Sequence, residues 1–207
     1  MRIALCLQTC DRYELTAQTL TTFAAHNDLR TFALFHGDDA SSDPRVADLV
    51  AGYGFATVAK TLTRFGMIPV RRALIEAAAA TGASWILLLE NDIETIRPFP
   101  WDLFRAVARD RSVYCLRLYG RYKDLERRQP CLTLDKQTRR HVAWMPYRAS
   151  EPAQVARIHW SAQPAVTRTP ELVAHHRRAG YESDRLTVRV RRNVVSHVGL
   201  ERTPERK

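Results

Sequence analysis

The spacing of apolar and polar positions divides the first half of the chain into short strands alternating with amphipathic helices. Arg2 to Gln8 alternates like a strand, and from Asp11 a helical period places Leu15, Leu20, Phe23 and Ala24 on one face. Thr31 to His36 reads as a second strand, followed by a polar turn over Gly37 to Ser42. Asp43 as N-cap and Pro44 at the first helical position open a second helix, which Gly52 or Gly54 ends. Phe55 to Lys60 is a third strand and Thr61 to Gly66 a loop. Pro69 then starts an Ala-rich helix that runs to Ala80 and stops at Gly82. Trp85 to Leu89 is uniformly apolar, as in a strand buried on both faces, and runs directly into Glu90-Asn91-Asp92.

Strands joined by helical crossovers predict a doubly wound, mostly parallel, Rossmann-like α/β sheet with helices on both faces, because parallel neighbours need such right-handed connections. Past Asp92 the pattern loosens. Pro98 and Pro100 interrupt the chain, Trp101 to Arg109 predicts a helix, and Ser112 to Leu118 another strand. Tyr119 to Arg140 reads as a basic loop, and Thr169-Pro170 opens a helix that ends at Gly180. Leu186 to Arg191 alternates like a half-exposed strand with Asn193 to Val198 as its partner, which makes the second half partly antiparallel. A single domain over residues 1–200 and a polar tail over 201–207 are expected.

Charge sharpens this division. Residues 1–103 hold 9 Lys+Arg against 12 Asp+Glu, a net of −3, whereas residues 104–207 hold 23 against 10, a net of +13. A slightly acidic half followed by a strongly basic one suggests two jobs, the second facing a polyanion. No stretch approaches a membrane span, and the N-terminal apolar run is too short for a signal peptide. Cys6, Cys10, Cys115 and Cys131 form no C-x-x-C pair, so reduced thiols and a cytoplasmic protein are expected.

The candidate chemistry gathers at strand ends. Gln8-Thr9-Cys10-Asp11, His36-Gly37-Asp38-Asp39, Lys60 with Arg64, and Glu90-Asn91-Asp92 each follow a predicted strand. In a parallel sheet these ends share one edge, where open α/β sheets bind ligands. No G-x-G-x-x-G and no G-x-x-x-x-G-K-[ST] is present, so a backbone phosphate cradle of either kind is excluded. Glu90 and Asp92 are hard oxygen donors suited to Mg²⁺ or Mn²⁺ bound together with substrate phosphates.

In this order the motifs Thr9-Cys10-Asp11-Arg12, Asp38-Asp39-Ala40-Ser41, Arg64 and Glu90-Asn91-Asp92 resemble those of GT-A fold glycosyltransferases, family 2 in particular. The resemblance is strongest over residues 1–95. It implies a GT-A type sheet and a metal-dependent hexosyl transfer with inversion from a nucleotide diphosphate sugar, UDP-linked by preference. Thr9, Asp11, Arg12, Asp38, Asp39, Arg64, Glu90 and Asn91 would then bind the nucleotide sugar. Asp92, His197 and Glu90 would hold Mn²⁺ or Mg²⁺. Glu182 or Asp184 would be the catalytic base. Trp160, Ser161 and Gln163 would shape the acceptor pocket. The first position of the D-x-D motif is Glu90 rather than Asp, and the Q-x-x-R-W motif of processive synthases is absent.

On this reading residues 1–103 are the donor half and residues 104–200 the acceptor half. Arg121, Arg127 and Arg128 belong to a basic set larger than nucleotide binding needs, with Tyr119, Tyr122 and Trp144 interleaved for stacking on a base. A DNA acceptor, such as a hydroxymethylated pyrimidine flipped into the site, is the leading expectation. A saccharide or lipid-linked acceptor is the second, and a metal-dependent nuclease or nucleic-acid binder the third.

Overall fold

The structure is a computed structural model that describes residues 2–64, 66–118, 132–134, 141–143, 145–146, 153–156, 164–177, 186–190 and 194–198. The chain begins with β1 (Ile3–Thr9), α1 (Tyr13–His26), β2 (Phe32–Asp39), α2 (Arg45–Gly52), β3 (Ala56–Thr61), α3 (Met67–Ala80) and β4 (Trp85–Glu90). After these come β5 (Ile93–Thr95), α4 (Trp101–Arg109), β6 (Val113–Arg117), β7 (Leu132–Leu134), β8 (His141–Ala143) and β9 (Met145–Pro146). The last elements are β10 (Ala153–Ala156), β11 (Ala165–Arg168), α5 (Thr169–Arg177), β12 (Leu186–Val190) and β13 (Val195–His197).

Nine described strands form one sheet in the order β3-β2-β1-β4-β11-β6-β12-β10-β9. The pairs β1·β2, β1·β4 and β2·β3 are parallel, as the helical crossovers demand. Because β1 lies between β2 and β4, the chain first winds outward and then returns to the other side of β1. That reversal opens a crevice between the carboxyl ends of β1 and β4. The antiparallel strand β11 lies between β4 and β6, pairing Ala165 with Leu88 and with Arg117.

Alternation along β1 sends Ile3, Leu5 and Leu7 into one core and Ala4 and Cys6 into another. The first core takes Leu20 and Phe23 of α1, Val46 and Val50 of α2, and Phe104 and Val107 of α4. The second takes Val70, Leu74, Ile75 and Ala78 of α3 and Leu172 of α5. The result is helix, sheet and helix in three layers. Gly37 lets α3 approach closely, since a β-carbon there would fall 2.6 Å from Val70 Cγ1. Phe99, Trp101 and Phe104 stack edge to face, with Phe99 and Trp101 centroids 4.7 Å apart, and so anchor α4 after the two prolines.

Three expectations change. Asp38 and Asp39 belong to β2 rather than to a turn, because they continue the parallel register with Thr9 and Thr61. β13 does not pair with β12; it pairs antiparallel with β5, setting His197 opposite Ile93. The buried face of α1 is Thr16, Thr19, Leu20 and Phe23, while Leu15 and Ala24 are half-buried. No described helix is long and apolar enough to cross a membrane.

Candidate functional site

The carboxyl ends of β1 and β2 are joined by a buried relay. His36 is 1% and Thr9 0% exposed, so their polar atoms must find protein partners. The Thr9 hydroxyl donates to Asp38 Oδ1 at 2.8 Å and meets His36 Nε2 at 2.9 Å. His36 Nδ1 lies 2.9 Å from the Thr57 hydroxyl on β3. A hydroxyl that spends its proton on a carboxylate can only accept from the ring, so His36 carries its proton on Nε2. Burial holds this imidazole well below its ordinary value, at about 4, and it is neutral at pH 7.

Asp38 Oδ2 accepts from the Ser41 backbone N–H at 3.1 Å, and the Ser41 hydroxyl joins Thr9 in donating to Oδ1. Ser41 Oγ in turn accepts from the backbone N–H of Asp11 at 2.7 Å. The Asp11 carboxylate accepts from the Ser42 N–H at 2.6 Å and Ser42 hydroxyl at 3.0 Å, and pairs with the Arg64 guanidinium. The Ser42 backbone N–H, then the Ser42 hydroxyl and Arg64, hold the Asp11 carboxyl below its ordinary value against an opposing effect of burial. Asp39 accepts from the Thr61 hydroxyl and the Gly66 N–H, each at 3.0 Å, which ties β2 to the start of α3.

The loop from β1 to α1 carries strain. Asp11 and Arg12 are both left-handed, with φ of 51° and 60°, a conformation that costs non-glycine residues about 1 kcal/mol or more each. It is clamped at one end by Ser41 and at the other by Asn91, whose Nδ2 donates to the Asp11 carbonyl at 3.0 Å and to Thr16 Oγ1 at 3.2 Å. Arg12 Nη1 then reaches Asp92 Oδ2 at 3.4 Å.

Helix α1 positions the acidic segment after β4 by a polar ladder. Threonines spaced three apart face it: Thr16 receives Asn91, Thr19 Oγ1 accepts from the Ile93 N–H at 3.2 Å, and Thr22 Oγ1 from the Thr95 N–H at 3.0 Å. Asn27 continues the row by accepting from the Phe99 N–H at 2.8 Å. Asp92 is therefore held on rigid backbone, with 12% of its side chain exposed. β13 arrives on the other side, and its chain continues into a bond from the Val198 N–H to the Asp92 carbonyl at 3.0 Å. The backbone of His197 thus lies opposite the residue that follows Asp92.

Of the expected donor residues, Asp11, Arg12, Asp38, Asp39, Arg64, Asn91 and Asp92 meet at this edge. Thr9 meets them from beneath, as a fully buried support for Asp38 rather than an exposed wall. Asn91 is likewise a strut, 5% exposed. Glu90 has a partner within the protein. Alternation along β4 sends it toward α3, where it accepts from Arg71 Nη2 at 2.6 Å. Arg71 is 7% exposed and also donates to Gln8 Oε1 at 3.2 Å, so it pins β1 to β4 at the crevice. Motif reasoning passes over this residue, although an arginine in register with the buried positions Leu74, Ile75 and Ala78 of α3 is a readable sign of an inward charge. Glu182, Asp184, Trp160, Ser161, Gln163, Arg121, Arg127 and Arg128 lie outside the described residues.

No cluster of three potential metal-binding side chains forms among the described residues. A Mg²⁺ or Mn²⁺ ion that shares substrate phosphates needs only one or two carboxylates from the protein. The hard oxygens of Asp92 fit that requirement, and the backbone of His197 runs on the adjoining strand. Burial raises the Cys10 thiol above its ordinary value, with Arg64 pulling the other way, so this half-buried cysteine is not poised as a thiolate.

Comparison by sequence finds no matching protein-family profile and no matching curated protein. Comparison by structure does. S. aureus TarS 1-349 superposes with a TM-score of 0.56 at 16% identity, covering 83% of this chain and 48% of that one. Its complex with UDP-GlcNAc gives 0.55 at 16% identity, covering 83% and 46%. GalNAc-T7 with UDP, GalNAc and Mn²⁺ gives 0.62 at 10% identity, covering 95% and 44%. The chain spans less than half the length of each of these proteins. At such identities the likeness speaks for architecture, and with the strand order and crevice described above it shows that this chain has the GT-A fold.

Proposed function

We propose that the chain is a metal-dependent glycosyltransferase that moves a sugar from a nucleoside diphosphate sugar to an acceptor hydroxyl. The observation that carries this reading is the meeting of Asp92 with the strand of His197, beside the exposed guanidinium groups of Arg12 and Arg64. A divalent cation bound at Asp92 and His197 would neutralise the diphosphate as it leaves. Asp39 serves the nucleoside base, Asp11 and Arg64 the rest of the nucleotide, and Glu182 or Asp184 takes the proton of the acceptor hydroxyl. Direct attack by that hydroxyl gives inversion.

UDP is the preferred nucleotide and a hexose the preferred sugar. The support is the fold shared with TarS bound to UDP-GlcNAc and with GalNAc-T7 bound to UDP, GalNAc and Mn²⁺. Residues 1–103 form the donor half and residues 104–200 the acceptor half. The net charge of +13 over residues 104–207, from 23 Lys+Arg and 10 Asp+Glu, favours a polyanionic acceptor, with a hydroxymethylated pyrimidine of DNA as the first to try.

The test is thermal stabilisation by UDP-GlcNAc and related nucleotide sugars with Mn²⁺. Stabilisation that disappears in Asp92→Ala supports the reading, and no stabilisation by any nucleotide sugar overturns it. The acceptor is tested by the mass of hydroxymethylated DNA after incubation with the stabilising donor. A gain of one residue of the donor's sugar supports DNA, and transfer only to a saccharide or lipid-linked acceptor overturns it.

A further inference from the structure

Arg12 occupies a place that suits an arginine badly. It is the N-cap of α1, is left-handed at φ 60° and ψ 57°, and supplies no side-chain cap to the helix. A cation at a helix N-terminus also meets the positive end of the dipole. Each of these disfavours arginine: glycine or asparagine would relieve the left-handed backbone, asparagine or serine would cap the helix, and any of them would remove the charge. What Arg12 does provide is an ion pair with Asp92, and the two partners are unequal. The Arg12 side chain is 58% exposed and the Asp92 side chain 12%, with a long contact of 3.4 Å between them. One partner is fixed in the protein and the other can swing into solvent. Arg64 is built the same way beside it, with its side chain 62% exposed on an Asp11 side chain that is 23% exposed.

We propose that Arg12 is a competing cation at Asp92, exchanged for the divalent ion when a nucleoside diphosphate binds. This rests on the functional reading given above. In the ligand-free protein the guanidinium neutralises the carboxylate and obstructs a free metal ion. The diphosphate of an incoming nucleotide draws Arg12 away, because guanidinium binds phosphate oxygens as readily as carboxylate. Asp92 is then available to the ion that accompanies the nucleotide. The arginine thereby couples the two ligands: metal alone is resisted, and metal with diphosphate is accepted. A residue that only supported the loop would have no such opposite effects.

The experiment is equilibrium titration of the full chain with Mn²⁺ alone and with UDP in the presence of saturating Mn²⁺, for the wild type, Arg12→Ala, Arg12→Gly and Asp92→Asn. Glycine accepts the left-handed backbone without strain, so Arg12→Gly stays folded even if the loop depends on its present shape. The expected result is Mn²⁺ alone binding about two- to fivefold tighter in both Arg12 variants, the range open to an exposed ion pair, while UDP binds more weakly. Asp92→Asn should lose Mn²⁺. Arg12 variants that bind Mn²⁺ no tighter than the wild type, in a protein whose Mn²⁺ still depends on Asp92, overturn the exchange and leave the functional reading standing. Mn²⁺ binding that is indifferent to Asp92, with and without UDP, overturns both.

Discussion

The hydroxyl of Thr9, at the end of β1, donates to the carboxylate of Asp38, at the end of β2, at 2.8 Å and with no solvent exposure at Thr9. This bond joins adjacent strand ends beneath the site, and it stands on the His36 ring. Thr9→Val keeps the shape but removes one of the two hydroxyls that donate to Asp38 Oδ1, the other being Ser41, and takes the acceptor from His36 Nε2–H. Such a loss costs about 1.5–3 kcal/mol. Chemical denaturation should show it as a lower midpoint, and Thr9→Ser should restore most of it.

His36 makes stability depend on pH. In the folded protein its value is lowered from 6.5 to about 4, so between these limits the unfolded chain binds the proton and the native one does not. Stability therefore rises with pH through this window and is lost as pH falls from about 6.5 toward 4, by up to about 3 kcal/mol. Asp11 acts lower down: its depressed carboxyl contributes stability above the ordinary value of 3.8, which is lost as pH falls through the folded value. Urea midpoints measured from about pH 7 to about pH 4.5 should decline, and in His36→Asn the decline should flatten.

Arg71 bridges Gln8 and Glu90 from a nearly buried position, with side-chain exposures of 9% for Arg71 and 29% for Glu90. Arg71→Met takes the guanidinium away from the Glu90 carboxylate and from Gln8 Oε1. Solvent reaching Glu90 moderates the loss to about 1–3 kcal/mol. Adding Glu90→Gln to Arg71→Met should return part of it, a coupling that a double-mutant cycle reads directly.

Thr19 receives the buried N–H of Ile93, the residue after Asp92. Thr19→Val should cost about 1–3 kcal/mol by leaving that donor unpaired. It should also loosen the segment that carries Asp92, seen as faster amide exchange over residues 91–95. Gly37→Ala should cost about 1–3 kcal/mol for a separate reason, the clash of the new methyl group with Val70 and Leu74 of α3.

The parallel half of the fold is legible in the sequence because apolar runs and helix signals alternate without interruption up to β4. Placing the polar strand ends on one edge then needs only the rule that such sheets bind ligands at their carboxyl side. Pairing is not legible. Alternation marks residues 195–197 as extended but does not say which strand they join, and their partner is β5 rather than β12. Asp38 and Asp39 read as a turn because aspartate is poor in strands, yet hydroxyls of Thr9 and Thr61 accommodate them there. The threonines of α1 fall outside an apolar-face pattern although they are its contact with the site. Residue type identifies which groups could do chemistry, while the partner of each is a property of three-dimensional neighbours.

The two-stranded pairing of β5 with β13 also orders events in time. β1 to β4 join through short crossovers that close as the chain is made, whereas residues 93–95 wait for residues 195–197. Closing so long a loop is entropically slow and follows the local units. The crevice between β1 and β4 can therefore assemble early on the nascent chain, with the β13 flank of Asp92 added as a late step. Pulse-labelled amide exchange during refolding would record this as protection of Leu5 in the middle of β1 before protection of Ile96 and Val198, whose N–H groups donate to the Val194 and Asp92 carbonyls.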